Sequence, residues 1–286
     1  MARVAYVFGG RDGGTAFDDL HAYDLATDTW RALEPEGGGP PARFGHEAVW
    51  VDGVGLVVFA GQASATAFFG DLWAYDPAAE RWTELPAGGD APVARYGSCS
   101  GVGRDGRLWI SHGFTEDRAR FADTRAYDFS NGTWSDETPS GDKPVERCLH
   151  GCFFTDDGTF VLYGGQTTGT TALGDLWALP AGTSDTGEWE RVDGELPLAR
   201  NLYAYARHGD DWLVVGGRAL DGAYLDDVHA VDAGTLVVRP VSVDGAGPAA
   251  RSGAALISDP EGGRALLFGG RSEAGALADL RQVRPA

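Results

Sequence analysis

Residues 60–82 read AGQASATAFFGDLWAYDPAAERW, and residues 112–134, 52 positions further on, read HGFTEDRARFADTRAYDFSNGTW. Each stretch has Gly second, Asp twelfth, a Tyr-Asp pair and a closing Trp. Working outward, the same Asp recurs at Asp19, Asp71, Asp123, Asp175, Asp227 and Asp279, always 52 apart. Ahead of it an apolar run ends in a small pair: Gly9-Gly10, Ala60-Gly61, His112-Gly113, Gly164-Gly165, Gly216-Gly217 and Gly269-Gly270. Four residues after it stand Tyr23, Tyr75, Tyr127, Leu179, Val231 and Val283, and Trp follows at 30, 82, 134 and 189. Pro and then Arg separate the units, at Arg43, Arg95, Arg147, Arg200 and Arg251. A chain with such a period is a repeat protein, each unit one supersecondary element that buries its faces against its neighbours.

A period near 50 with a Gly pair, a Tyr-Asp and a Trp resembles the kelch repeat of β-propellers, over nearly the whole chain. The resemblance implies an all-β, six-bladed kelch-type β-propeller. On function it says little, because kelch propellers serve as interaction modules, mutarotases, oxidases and lyases. Each unit reads as four short strands: a after the Arg, b into the Gly pair, c after the Asp and d with the Trp. Turn pairs such as Asp52-Gly53, Asp105-Gly106, Asn131-Gly132 and Asp157-Gly158 mark the hairpins. The repeat has no linker, so one domain is expected over residues 1–286, with blades near 1–36, 37–88, 89–140, 141–194, 195–243 and 244–286. Strand a of the first blade and strand d of the last have no sequence to supply them. Either the true start lies upstream of Met1, or the ring closes with three-stranded terminal blades, the protein being a monomer or a dimer through the open blade edges.

Against 42 acidic residues there are 23 basic ones, and the net charge is −19. That charge repels nucleic acid and anionic membranes, leaving a protein or a small anionic metabolite as the expected partner. The N-terminal residues run straight into a repeat strand and no stretch has about 18 apolar residues, so a cytoplasmic protein is expected. Three cysteines, Cys99, Cys148 and Cys152, are too few for a disulfide framework, and reduced thiols are expected.

Comparing the six units with one another isolates positions that the repeat does not explain. In the third, His112 replaces a Gly, and the next loop, Phe114 to Arg120, carries Glu116, Asp117, Arg118 and Arg120. Three residues after the Arg, the series His46, Ser98, His150, Tyr203, Ala254 varies within a constant frame. Topology puts the b–c loops and the Arg-bearing d–a loops around one channel mouth, with Arg11, Gln62, Gln166, Arg218 and Arg271 after the Gly pairs. A ring of guanidiniums there would focus positive potential on an anionic ligand. Alternatively, each Arg bridges structure within its own repeat, and the repeated Asp accepts hydrogen bonds from turn backbone.

The ligand-binding candidates are Arg95, Arg147, Arg200, Arg118, His46 and Tyr203. A second reading makes the protein a metal-independent isomerase, cyclase or lyase, with His112, His150 and Glu116 as acid–base groups and Arg holding a carboxylate or enolate. Cys148, His150 and Cys152 share one strand face, yet strand rise sets the two cysteines about 13 Å apart, too far for one zinc. Asp142, Glu146 and His150 resemble the iron-holding series of kelch-type specifier proteins, with the acids exchanged. No nucleophile elbow, phosphate loop or dinucleotide fingerprint occurs, and no metal or cofactor is expected.

Overall fold

The computed structural model describes residues 3–116, 119–180, 187–193, 198–245, 247–259 and 261–285. It divides into two compact units, residues 1–138 and 139–286. Apart from a 3-10 turn at Thr168–Thr170, every named element of the described residues is a β-strand.

The first unit holds three blades. Blade 1 has strands b (Val4–Asp12), c (Thr15–Asp24) and d (Thr29–Leu33). Blade 2 has a (Glu47–Val51), b (Gly55–Phe59), c (Leu72–Asp76) and d (Arg81–Glu84) in that spatial order. Blade 3 has a (Cys99–Val102), b (Leu108–Phe114), c (Arg120–Asp128) and d (Thr133–Asp136), with Gly88–Gly89 from the preceding linker added in parallel to d. The second unit continues the pattern. Blade 4 has a (Gly151–Phe154), b (Phe160–Tyr163), c (Leu176–Leu179) and d (Glu190–Val192). Blade 5 has a (Ala204–His208), b (Asp211–Ala219), c (Tyr224–Asp232) and d (Val238–Pro240). Blade 6 has a (Ala255–Asp259), b (Arg264–Phe268) and c (Leu280–Val283). The terminal blades are three-stranded among the described residues.

Alternate residues of the strands face neighbouring blades, and the core sits between them. Phe8, Leu20, Val58, Tyr75 and Trp82 fill the space between blades 1 and 2, and Phe59, Leu72, Ile110, Tyr127 and Trp134 that between blades 2 and 3. In the second unit Tyr163, Leu176, Tyr203 and Val214 pack blade 4 on blade 5, and Val215, Ala230, Leu267 and Val283 pack blade 5 on blade 6. The repeated Trp explains itself here: Trp82 lies 5.3 Å from the Tyr75 ring of its own blade and 5.2 Å from Phe8 of the blade before.

The Asp that sets the period does not hold a turn, correcting that expectation. Each of Asp71, Asp123, Asp175, Asp227 and Asp279 instead takes two guanidinium hydrogen bonds from the Arg 27 or 28 residues earlier. The turn work falls to the next Asp of the motif: Asp24 and Asp76 accept from backbone N–H groups two and three residues on. The physical reason is geometry, because a planar guanidinium matches a carboxylate two bonds at a time.

Arg43 shows the whole device. Its Nη1 and Nη2 donate to Asp71 at 2.7 Å each, Nη1 also donates to the Ala60 carbonyl at 2.8 Å, and Nε to the Pro41 carbonyl at 3.0 Å. Its backbone N–H donates to Phe17 of blade 1, and its carbonyl accepts from Gly10. The side chain thus belongs to blade 2 and the main chain to blade 1. The carbonyl that Arg needs comes from the first residue of the small pair, which lies at φ near +60° in all six repeats (Gly9, Ala60, His112, Gly164, Gly216, Gly269). Ala60 and His112 hold a left-handed conformation there that costs a side-chain-bearing residue about 1 kcal/mol.

Candidate functional site

Arg43, Arg95, Arg147, Arg200 and Arg251 are all but fully buried. Arg95 donates to Asp123 at 2.7 and 2.9 Å and to the His112 carbonyl at 2.8 Å, while its guanidinium carbon stands 4.3 Å over the Phe121 ring. Arg147 and Arg200 repeat these bonds on Asp175 with Gly164, and on Asp227 with Gly216. Burial pushes the Asp71, Asp123, Asp175 and Asp227 carboxyls up, but the paired Arg outweighs it and all four end below the usual carboxylate range. With Nε, Nη1 and Nη2 all engaged, each of these buried guanidiniums ties its own linker to strands b and c of its blade. Among the described residues Asp19 has no such Arg; it pairs at 2.7 Å with His21, and its side chain is 56% exposed.

The acid–base candidates are placed as follows. His112 is fully buried in the first unit, with Nδ1 2.6 Å from Ser111 Oγ, which in turn lies 3.0 Å from Thr124 Oγ1. Glu116 is exposed on the following loop, so a buried imidazole and a solvated carboxylate are not brought into one environment. His150 is buried in the second unit. Tyr203 is buried as well: its hydroxyl donates to the Tyr163 carbonyl and accepts from the Gly151 N–H at 2.6 Å, joining blade 5 to blade 4, and burial pushes its phenol up. Arg118 lies outside the described residues. His46 immediately precedes strand a of blade 2, its ring 5.4 Å from Phe8; burial foremost and the Arg43 charge next lower its imidazole to about 4, so it is neutral at physiological pH.

Cys99, Cys148 and Cys152 are all buried.

What the loops do present lies one position beyond the small pairs. Arg11, Arg218 and Arg271 are exposed there, with Gln62 and Gln166 partly so. In the first unit these loops also form a run of aromatic rings. Phe44 meets Tyr96 at 5.9 Å, Tyr96 meets Phe114 at 6.3 Å and Phe114 meets Phe68 at 6.0 Å, each edge to face. Arg11 stands 4.2 Å over Phe44 and Arg120 5.7 Å over Phe114. The corners are fixed by backbone bridges Phe44–Gln62 and Tyr96–Phe114. Beside them Phe17 and Val93 are 38% and 60% exposed. In the second unit Val145 and Leu198, which occupy Val93's place in the repeat, are exposed as well. The signal for this surface was present in the sequence as Phe44 and Tyr96, where later repeats have Cys148, Asn201 and Ser252 after the Arg, and as Phe114, where the other repeats have Arg or Gln after the small pair.

Comparison with known proteins agrees with this frame. The KLHDC2/KLHL20/DRC7 Kelch-repeats domain model matches residues 2–165 and again 138–285. Acyl-CoA-binding domain-containing protein 4 of Arabidopsis thaliana is 28% identical over 281 residues, covering 93% of this chain and 41% of that protein. Acyl-CoA-binding domain-containing protein 5 of the same plant is 27% identical over 258 residues, 86% of this chain and 39% of its own length. Leucine-zipper-like transcriptional regulator 1 homolog of Drosophila melanogaster is 26% identical over 242 residues, 79% of this chain and 24% of its own. The chain spans at most about two fifths of the length of these relatives. With the Asp and the small pair recurring in six repeats, an Arg–Asp pair in five of them, and a family model matching along nearly its whole length, the chain belongs to the kelch-repeat family of β-propellers.

Proposed function

We infer that this kelch propeller is a binding module whose b–c loops and Arg-bearing d–a corners recognise a protein partner. The observation that carries the reading is the run Phe68, Phe114, Tyr96, Phe44, with Arg11 and Arg120 over its outer rings and exposed Phe17 and Val93 beside it. Aromatic and Arg side chains held rigidly on corners are the residue types that dominate protein interfaces. The net charge of −19 supports a partner other than nucleic acid or an anionic membrane. Among the described residues no helix is long and apolar enough to cross a membrane. The reading takes residues 1–286 as one working domain in the cytoplasm.

A small anionic ligand is the second reading, supported by the exposed guanidiniums of Arg11, Arg218 and Arg271 rather than by the buried Arg95, Arg147 and Arg200. The isomerase, cyclase or lyase reading through His112, His150 and Glu116 draws less support, because both imidazoles are buried and Glu116 is not.

The test is quantitative capture of partners by the parent protein and by the loop variants Phe114→Ser and Arg11→Ser, each checked for an unchanged unfolding midpoint. Loss of a captured protein in both variants supports the module. Retention in both, together with an anion-dependent rise in Tm that Arg11→Ser removes, replaces the protein partner with a small ligand.

A further inference from the structure

On strand a of blade 2, Glu47 faces blade 3, where Ser100 donates to its Oε2 at 2.9 Å. Ser98, two residues before Ser100, takes the same face of its strand. It is 4% exposed, and among the described residues its Oγ has no hydrogen-bond partner. A buried hydroxyl is costly to leave so, and its retention asks for an explanation.

Blades 4 and 5 hold a different set of groups in this layer. Gly151 takes Glu47's place in the repeat, and Tyr203 and Tyr205 take those of Ser98 and Ser100. A Cβ on Gly151 would come within 2.8 Å of the Tyr203 hydroxyl and 3.0 Å of the Tyr205 ring, so a side chain at this position enters between the other two. There the Tyr203 hydroxyl has both partners, accepting from the Gly151 N–H and donating to the Tyr163 carbonyl. In blades 2 and 3 two phenol rings are exchanged for two hydroxymethyl groups, and Glu47 brings one carboxyethyl chain in return. By the repeat's own geometry the Glu47 carboxyl stands between Ser98 and Ser100, and among the described residues Ser100 is the one donor to it.

We propose that Glu47, Ser98 and Ser100 form a binding site for the ammonium group of a primary amine. An alkylammonium ion has three N–H donors and no acceptor, and the cluster supplies three oxygen acceptors: Glu47 Oε1, Ser98 Oγ and the lone pairs of Ser100 Oγ. One carboxylate matches one positive charge, whereas Ca2+ or Mg2+ takes six or more oxygen ligands. Burial raises the Glu47 carboxyl to about 8 against the opposing Ser100 bond, so at neutral pH the carboxyl proton leaves for solvent as the ammonium arrives. His46 and Cys99 alternate onto the opposite faces of the two strands. Arg95, whose stem flanks Gly113 together with Ser98, is paired with Asp123. The net charge of −19 draws cations to the protein, and Glu47, partly exposed, gives the amine its way in.

The probe is methylammonium chloride, exchanged for potassium chloride at constant ionic strength with the whole chain. Two heavy atoms limit its Kd to about 5 mM or weaker, so the titration runs to about 100 mM. Tm should rise by about 3 °C and saturate. Calorimetry at neutral pH, in buffers of different ionisation heat, should find nearly one proton released per amine bound. Glu47→Gln, which keeps an oxygen for Ser100, should lose both effects, and Ser98→Ala should weaken the affinity about tenfold. Tetramethylammonium, with no N–H donor, should behave as potassium does. Nα-acetyl-lysine amide separates the sources: binding at least as tight as that of methylammonium assigns the site to a lysine side chain of a partner, and failure where methylammonium binds assigns it to a small free amine. Three results overturn the proposal: equal Tm in methylammonium and potassium, an equal rise with tetramethylammonium, or a response of Glu47→Gln matching that of the parent.

Discussion

Glu47 should make the protein less stable as pH rises, which is unusual for a carboxylate. It stands on strand a of blade 2 facing Ser100, whose hydroxyl donates to Oε2 at 2.9 Å. Burial pushes its carboxyl up from 4.5 to about 8, and the Ser100 hydrogen bond offsets only part of that. A folded-state pKa above the unfolded one means that the neutral acid is favoured by folding. The stabilisation is then complete below about pH 4.5 and is lost as pH rises through about 8. At 1.36 kcal/mol per unit the full shift corresponds to about 5 kcal/mol. The residue is partly exposed, and solvent screening reduces the expected effect to about 2–3 kcal/mol. Glu47→Gln keeps an oxygen for Ser100 and removes the titration. In urea unfolding at about pH 5, 7 and 9, the variant should match the parent at the lowest pH and exceed it by about 2–3 kcal/mol at the highest, with equal m-values. Taking the difference between the two proteins cancels every other titrating group. A difference that stays flat across the three pH values would refute the account of Glu47 as a buried neutral acid.

Three further outcomes are expected. Arg147→Met or Asp175→Asn alone should cost about 3–5 kcal/mol, because each leaves its partner's charge buried and unpaired, and the double variant should cost less than the two single costs combined, as a double-mutant cycle by denaturant unfolding will measure. His112→Gly relieves a left-handed φ of +57° worth about 1 kcal/mol but empties a buried site and strips Ser111 of its imidazole contact. Net destabilisation of about 1–3 kcal/mol is expected, and a Tm at or above the parent's would show that the side chain contributes nothing there. Thiol titration of the denatured, unreduced protein tests the reduced state expected from the sequence: three reactive thiols support it and a reducing compartment, and fewer overturn it.

Much of the architecture was legible because a repeat shows its own constraints several times over. The 52-residue Asp, the small pair and the Trp each occupy one structural place in blade after blade, so blade number and strand order followed from counting. The site was less legible. His112, His150 and Tyr203 stood out because they broke the pattern, yet breaking a pattern does not reveal burial, and all three point into packed interiors. Phe44, Tyr96 and Phe114 attracted no attention because aromatics in a propeller are ordinary one at a time.

Periodicity and composition were enough for an all-β chain of six blades, a strong negative charge, and one Arg and one Asp per repeat in five of them. Tertiary structure decided what depends on approach in space. Arg and Asp lie 27 or 28 residues apart along the chain, and only folding shows that they meet at 2.6–3.0 Å. The same is true of Glu47, whose neighbour Ser100 comes from the next blade. Spacing along a strand sets which face a side chain takes, but its charge state and its availability depend on what the adjacent blade places against it.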